Sequence, residues 1–221
     1  MKEGIIVINK PHGLTSHDVV ARIRRKFGMK KVGHAGTLDP LATGVLIVLL
    51  GKFTKMSDRF MNLDKGYRAT MLLGRKTNSA DIQGETIFEK PYDQINLAAV
   101  ENVFREFIGK TDQLPPMFSA IKFKGKKLYE LARKGMTIDR EPRTITIGKL
   151  EVLKFDLPSV EFIMECSKGT YVRQLADDVG ERLGCGACIS QIERTKVGSF
   201  RLEEAVHIEE INESHIRPWS D

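Results

Sequence analysis

The stretch Gly33–Leu46, GHAGTLDPLATGVL, combines three glycines with an Asp-Pro step at Asp39. Glycines permit tight backbone paths, and a proline restricts the residue before it to extended geometry. The apolar run Val45–Leu50 then predicts a buried strand. We therefore predict an ordered loop over Val32–Gly44 that holds Asp39 beside this strand. A lone Asp-Pro is usually only a turn, but a short acid fixed in a long stiff loop is typical of a nucleophile.

Regular hydrophobic patterns surround this loop on both sides. They predict strands at 4–9, 67–73, 144–155, 160–166, 189–195 and 197–202. They also predict helices after Thr15 or Ser16, at 97–108, at 128–132 and at 172–183, the last with Thr170 as its N-cap. Strands and helices are mixed without regular βαβ alternation. The expected fold class is therefore α+β, with a mainly antiparallel sheet.

The charge of the chain is unevenly distributed. Its 221 residues include 35 basic and 29 acidic ones, for a net charge of +6. Lys10–Lys31 carries +6 and Ile121–Arg143 carries +5, whereas Leu202–Asp221 carries −5. Two concentrated basic blocks favour a polyanionic partner, most simply nucleic acid. Charge runs are also commonly just a solvated surface, so composition leaves both interpretations open.

Several protein classes are excluded by the sequence. No apolar run approaches the roughly 18 residues of a transmembrane helix, and the N-terminus does not resemble a signal peptide. The odd number of cysteines, Cys166, Cys185 and Cys188, argues against a disulfide scaffold. A zinc site at Cys185 and Cys188 lacks further ligands at suitable spacing, so structural thiols are favoured. Asp177 and Asp178 fall on the polar side of their predicted helix and are expected to be solvated. We expect a cytoplasmic protein that binds no metal.

Three long motifs together resemble the TruB family of tRNA pseudouridine synthases. They are GHAGTLDPLATGVL at 33–46, DKGYR at 64–68 and SKGTYVRQLADDVGERLGCGA at 167–187. INKPHGLTSHD at 8–18 and PPMFSAIKFKGKKLYELARKG at 115–135 support them. The resemblance covers nearly the whole chain. It implies the pseudouridine synthase fold, a twisted and mostly antiparallel mixed sheet flanked by helices, with a basic thumb insertion. It also implies conversion of uridine 55 in the T loop of tRNA to pseudouridine, without metal or cofactor.

The resemblance assigns three catalytic residues. Asp39 would be the carboxylate that either attacks C1′ of the nucleotide or removes a proton from C2′, and the sequence leaves both routes open. Arg173 would be the cation beside this carboxylate, since a guanidinium stays charged and can bind a carboxylate in bidentate fashion. Tyr171 would contact the base and handle its C5 proton.

The same resemblance assigns residues that bind the RNA. Tyr67 would stack on the flipped base and His34 would take the space the nucleotide leaves, while Lys10 and Ile192 would lie near the pocket, the latter as an apolar wall. In the basic arm the expected phosphate contacts are Lys122, Lys124, Lys126 and Lys127. The expected partner is the T stem-loop of tRNA, bound by a monomer.

The domain organisation expected from the resemblance is one catalytic domain over residues 1–221, with 115–143 as the thumb arm. Bacterial relatives continue into a PUA-type RNA-binding domain, which we expect to be absent. Two alternative functions stay open at this point. One is an RNA-binding or RNA-folding module without catalysis, and the other is a guide-RNA-dependent synthase. The intact candidate residues Asp39, Tyr67, Tyr171 and Arg173 argue against the first.

Overall fold

The computed structural model describes residues 2–219. Its helices are α1 (Ser16–Phe27), α2 (Ser57–Met61), α3 (Leu97–Phe107), α4 (Leu128–Ala132) and α5 (Val172–Leu183). Its strands are β1 (Gly4–Lys10), β2 (Val32–Ala35), β3 (Thr43–Leu50), β4 (Lys65–Leu73), β5 (Arg75–Thr77), β6 (Thr86–Glu89), β7 (Gly109–Gln113), β8 (Lys122–Phe123), β9 (Lys126–Lys127), β10 (Arg143–Asp156), β11 (Ser159–Cys166), β12 (Ala187–Val197), β13 (Phe200–Arg201) and β14 (Val206–His207). Short 3-10 segments lie at Gly51–Met56, Leu202–Glu204 and Glu213–His215.

The chain divides into two compact units. The first contains the chain up to Arg68 and from Gln191 onward, and the second is Ala69–Ser190. Both boundaries fall inside strands, β4 and β12.

The first unit is organised around the antiparallel pair of β1 and β3. Gly4 lies opposite Leu50, and Lys10 lies opposite Gly44. Strand β14 runs parallel to β1, and the end of β12 runs parallel to β3 at Thr43 and Gly44. Strand β13 closes a hairpin with β12, which confirms the predicted closing hairpin, although Val197 belongs to its first strand and its second strand is only Phe200–Arg201.

Both faces of β3 are buried, which explains its continuous apolar sequence. Leu46 and Val48 pack against Val19 and Ile23 of α1, while the alternate residues of the strand pack in a second cluster with Phe60. Helix α1 begins at a capping box in which the side chain of Thr15 accepts a hydrogen bond from the backbone of Asp18. The apolar face of α1 and its cap thus agree with the sequence pattern.

The predicted loop over Val32–Gly44 is wrong at its beginning. Val32–Ala35 forms strand β2, paired antiparallel with β3 so that Val32 lies opposite Leu50 and Ala35 opposite Ile47. The glycine and histidine in this segment suggested a loop. Its strand conformation comes from hydrogen bonds to a partner that lies more than ten residues ahead, which local composition does not encode.

The second unit contains the antiparallel ladder β7–β10–β11 followed by β4. Helix α3 packs on this ladder through Phe104, whose ring meets that of Phe162 edge-on at 5.6 Å. The predicted strands at 144–155 and 160–166 and the helices at 97–108 and 172–183 are confirmed. Since most pairings in the two units are antiparallel, the predicted α+β class with a mainly antiparallel sheet is also confirmed.

The basic arm within the second unit carries the small hairpin β8–β9 and the short helix α4. The predicted helix at 128–132 is confirmed by α4. By contrast, Thr170 is not the N-cap of α5. Tyr171 occupies that position without a side-chain cap, and the Thr170 hydroxyl instead donates to the carbonyl of Ser167 at 3.0 Å.

None of the helices in residues 2–219 is long and apolar enough to cross a membrane. Cys166, Cys185 and Cys188 are buried, and none of the three is part of a disulfide. Across the same residues, His, Cys, Asp and Glu side chains form no cluster of three or more that could hold a metal ion.

The expectation that Asp177 and Asp178 are solvated is wrong. The side chain of Asp177 is only 15% exposed and lies 3.3 Å from Nζ of Lys76, which also pairs with Glu181. Burial raises the pKa of Asp178 to about 6, and the neighbouring charges of Asp177 and Glu181 add to the rise while a hydrogen bond from Gln174 opposes it. The polar side of α5 therefore faces other residues of its unit, not only water.

Asp178→Asn is expected to stabilise the protein at neutral and alkaline pH. Because the folded-state pKa of Asp178 is raised from 3.8 to about 6, the folded state holds this proton more tightly than the unfolded one. The ionised carboxylate of Asp178 therefore lowers the free energy of unfolding above pH 6. This loss disappears as the pH falls toward 4, because the carboxyl group becomes protonated. After allowance for solvent screening, the free energy of unfolding at pH 8 should rise by about 1 kcal/mol. Urea unfolding at pH 8 and pH 4.5 measures this gain, and an equal gain at both pH values would contradict the assignment.

Candidate active site

Asp39 lies in the loop between β2 and β3 of the first unit, which we call the Asp39 loop (residues 36–42). Its backbone is fixed at several points. The amide of Ala42 donates to the carbonyl of Asp39 at 3.1 Å, and the amide of Gly13 donates to the carbonyl of Pro40 at 2.8 Å. Gly36 begins the loop with a φ of 84°. The stiff path expected from the sequence is thus produced by contacts both within the loop and from outside it.

Ser16, the first residue of α1, binds the loop next to Asp39. Its hydroxyl donates to the carbonyl of Leu38 at 3.1 Å and accepts from the amide of Leu38 at 2.8 Å. Ser16 is 2% exposed and Leu38 is 4% exposed. Because these bonds are shielded from water, they fix the residue before Asp39 firmly to the start of the helix.

Arg194 in β12 binds the start of the Asp39 loop and the strand β3 that follows the loop. Its Nη2 donates to the carbonyl of Gly36 at 3.0 Å, its Nη1 donates to the carbonyl of Thr37 at 3.4 Å, and its Nε donates to the carbonyl of Val45 at 2.7 Å. The side chain is 1% exposed. A Cβ on Gly44 would lie 2.3 Å from the carbonyl oxygen of Arg194, so only glycine lets β12 pass this closely.

Lys10 is a second buried cation in this region. Its ammonium donates to the carbonyls of Pro11 at 2.9 Å and Leu14 at 2.6 Å. Burial lowers its pKa to about 8, the negative charge of Asp39 opposes that fall, and the positive charge of Arg194 adds to it. Lys10 is therefore close enough to Asp39 and to Arg194 for its charge to interact with each of theirs.

Three other predicted site residues belong to the first unit. His34 lies in β2 opposite Val48 and is half-buried. Ile192 is half-buried and packs against the apolar cluster that includes Leu38. Tyr67 in β4 is 8% exposed. The roles assigned to these three residues stay predictions.

Arg173 occupies a polar, buried position in the second unit. It is 5% exposed and donates to the carbonyls of Ser79 at 2.7 Å and Phe118 at 2.8 Å. Its Nε also lies 3.7 Å from a carboxylate oxygen of Asp81. The guanidinium thereby ties α5 to two separate segments of its unit.

Tyr171, the residue before α5, is held by its backbone. Its amide donates to Oε1 of Gln113 at 2.8 Å, and Nε2 of Gln113 donates to its carbonyl at 3.1 Å. This reciprocal pair fixes the Tyr171 backbone to the end of β7 while its side chain takes no part in capping. Gln113 is 4% exposed, so the pair is protected from competing water.

The four lysines predicted to contact phosphates lie on the hairpin β8–β9 of the basic arm. Lys122, Lys124 and Lys126 are exposed, and Lys127 is half-buried. The ammonium of Lys124 lies 5.4 Å from the ring centre of Phe123, which is 37% exposed. The hairpin thus displays cations together with an accessible aromatic ring.

Comparisons with known protein families identify the family to which this chain belongs. The sequence model described as TruB family pseudouridylate synthase (N terminal domain) matches residues 24–172, more than half of the chain. A second, described as tRNA pseudouridylate synthase B C-terminal domain, matches residues 173–218. The chain belongs to the TruB family. The expected family membership is therefore confirmed.

TruB relatives of known name match over almost the entire chain. One from Clostridium tetani, named tRNA pseudouridine synthase B, is 49% identical over 216 residues, which is 98% of this chain and 75% of the relative. One of the same name from Opitutus terrae is 46% identical over 95% of this chain and 87% of the relative.

Solved structures confirm the fold of this TruB family chain. A Cbf5-Nop10-Gar1 complex matches with a TM-score of 0.77 at 30% identity, covering 98% of this chain and 60% of that one. An H/ACA RNP bound to a substrate RNA containing 2′-deoxyuridine matches with a TM-score of 0.70 at 29% identity, covering 94% and 52%. This chain thus spans little more than half of those two chains.

The structure adds residues that the TruB motifs alone did not point out. Ser16, Gln113 and Arg194 hold Leu38, Tyr171 and the Asp39 loop, respectively. Arg194 lies two positions after Ile192, which the family resemblance had assigned to the pocket. This closeness was the one feature of the sequence that could have pointed to Arg194. An arginine in a strand is ordinarily read as solvent-exposed.

Proposed function

We propose that this protein converts a uridine of tRNA, at position 55 of the T loop, to pseudouridine, with Asp39 as the reacting carboxylate. The observation that carries the proposal is the Asp39 loop, whose backbone is fixed by Ser16 and by Arg194. Relatives that are 46–49% identical over nearly the whole chain and are named tRNA pseudouridine synthase B support tRNA as the substrate. The H/ACA RNP and the Cbf5 complex match at only 29–30% identity, which favours the tRNA-specific branch.

The reaction needs a group that acts on the sugar. The bond between C1′ and N1 of the base breaks, the base turns, and C1′ bonds to C5, after which the C5 proton leaves and N1 gains a proton. A carboxylate fits this chemistry because it can attack C1′ or remove the C2′ proton and later reverse that step. The rigidity of the Asp39 loop suits either route, since a fixed nucleophile or base avoids much of the entropic cost of the reaction.

The target base must leave its stack to reach Asp39, which costs a few kcal/mol. Stacking on an aromatic ring returns about 1–3 kcal/mol per base. We assign this stacking to Tyr67 and the C5 proton transfer to Tyr171, with His34 occupying the position of the displaced base. The anchoring of the Tyr171 backbone by Gln113 supports a role that requires a defined position.

The basic arm would bind the T stem-loop through phosphate contacts. Exposed ammonium groups on β8–β9 supply affinity without reading sequence. The exposed ring of Phe123 could add a stacking contact of the kind that RNA-binding surfaces commonly use. Folded RNA of this kind is recognised mainly by its shape.

Replacing Lys122, Lys124, Lys126 and Lys127 with Ala is expected to weaken tRNA binding and its salt dependence. Removing each phosphate-binding ammonium should reduce the slope of log K against log salt by about 1. The rate at saturating tRNA should change little, because these residues lie outside the reacting centre. Filter binding between 50 and 300 mM salt measures the slope, with Lys149→Ala/Lys154→Ala as the control, since those lysines lie outside the arm and pair with Glu151 and Asp156. An unchanged slope in the arm variant would exclude the arm as the phosphate contact.

The direct test of the proposed function is release of tritium from an unmodified tRNA transcript labelled at C5 of its uridines. Rearrangement must release the C5 hydrogen of the target. We expect about one equivalent of tritium per tRNA from the purified chain alone, and none from a transcript with cytidine at position 55. No release despite tRNA binding would favour an RNA-binding module. Release only after addition of a guide RNA with its proteins would favour the guide-dependent class.

A further inference from the structure

The path of the Asp39 loop is fixed by one side chain that reaches it from a distant part of the sequence. Arg194 lies 155 residues after Asp39. Its backbone pairs with Gly44 at the start of β3, so the position of the arginine relative to β3 is set by the sheet. From that position its guanidinium reaches back to Gly36 and Thr37, the first two residues after β2.

The three hydrogen bonds of Arg194 join the start of the loop to β3, the strand that follows it. Gly36 and Thr37 lie before Asp39, and Val45 lies after it. A planar guanidinium presents its N–H groups in a fixed fork, so it sets the separation of these carbonyls. A lysine has one rotatable ammonium and cannot hold carbonyls on both sides of the loop in the same geometry.

The burial of the Arg194 side chain has a cost in folding free energy. The side chain is 1% exposed, and a buried charge is costly unless it is well bonded. It lies near a second buried cation, Lys10, whose pKa it helps to lower. An apolar residue would avoid both costs if packing were all that this position required.

We propose that Arg194 is a positioning residue for Asp39: by binding the carbonyls of Gly36, Thr37 and Val45 it fixes the loop so that the carboxylate is correctly placed for reaction. This inference rests on the proposed function of Asp39. Arg194 itself does not touch the substrate in this role. It acts through the loop, and a misplacement of about 1 Å at a reacting group can cost about 10²-fold in rate.

The experiment compares Arg194→Met and Arg194→Lys with Arg201→Met. Arg201 is the control because it lies in the same unit and donates to a backbone carbonyl, that of Gly198, at 2.8 Å, outside the Asp39 loop. Tritium release is measured in single turnover at saturating enzyme, together with the dissociation constant for tRNA. Hydrogen exchange of the amides at 36–42 reports the order of the loop.

The expected result separates positioning from general stability. Arg194→Met should lower the single-turnover rate by about 100-fold and Arg194→Lys by about 10-fold, with tRNA affinity within about threefold of wild type. Amide protection should fall at 36–42 in both. In Arg201→Met the rate and the protection of the loop should stay at the wild-type level.

Each other outcome counts against the inference. A wild-type rate in folded Arg194→Met would make the arginine merely structural, and so would failure of both variants to fold. A rate restored fully by lysine would show that charge alone is required and not the fork. If the wild-type protein released no tritium, the proposed function would fail first, whereas loop protection would still reveal whether Arg194 orders residues 36–42.

Discussion

Asp39→Asn is expected to reduce the single-turnover rate of pseudouridine formation by about 10⁴-fold or more, the scale seen when a nucleophile is removed. The amide cannot form a covalent bond with C1′ as a carboxylate does, and it is too weakly basic to remove the C2′ proton. The hydrogen bonds that fix the loop are made by backbone groups and by Ser16 and Arg194, so they should survive the substitution. Binding of tRNA and the melting temperature should therefore stay close to those of the wild type.

The control for this loss is Asp58→Asn. Asp58 is an exposed aspartate of α2 in the same unit, and its substitution changes the net charge equally. Tritium release and a gel assay for pseudouridine measure the rate. Activity of Asp39→Asn above one hundredth of the wild-type level, after proof that no deamidated protein is present, would overturn the assignment of Asp39.

Arg173→Met should have the second-largest effect, acting on both activity and stability. It removes two hydrogen bonds to carbonyls and leaves Asp81, which is 7% exposed, without its neighbouring cation. Loss of one partner of a buried ion pair costs about 3–5 kcal/mol, and the bonds from Ser79 and Gln83 to Asp81 should keep the cost near the lower value. The role that family resemblance gives to Arg173, the counter-charge of the catalytic carboxylate, predicts a fall in rate of at least about 10²-fold.

Two variants distinguish these contributions of Arg173. Arg173→Lys keeps a positive charge, so it should recover part of the stability, but without the planar fork it should recover little of the rate. Arg182→Met removes an arginine from the exposed side of α5, where it pairs with Glu106, and should change neither quantity substantially. Urea unfolding and single-turnover tritium release are measured for Arg173→Met, Arg173→Lys and Arg182→Met. A wild-type rate in folded Arg173→Met would refute a catalytic role.

The predictions that succeeded from sequence concern features with a local signal. The apolar run of β3, the N-cap of α1 and the periodicity of α5 each appear within a window of about one dozen residues, and each element was found where it was expected. The Asp39 motif was equally visible, because glycines and an Asp-Pro step restrict the backbone directly. Its catalytic meaning came from the resemblance to the TruB family, and the family comparisons confirm membership of the chain in that family.

Apart from the N-cap of α5, the predictions that failed concern features decided by distant partners. Val32–Ala35 is a strand because β3 provides its hydrogen-bond partners, although its own residues favour a loop. Asp177 is largely buried because Lys76, about one hundred residues earlier in the chain, lies against its helix. Pattern analysis gives each residue of a polar helix face the same expected exposure, so it cannot identify the one that a distant cation covers.

The sequence by itself thus determined the main helices and strands, the basic arm and the presence of a stiff loop around Asp39. Only the tertiary structure decided how that loop is held. Ser16 binds Leu38 and Arg194 binds Gly36, Thr37 and Val45. The physical reason is that these bonds join residues separated by 22 to 158 positions. Their geometry follows from the packing of α1 and β12 against the loop, and no local pattern of residue types encodes it.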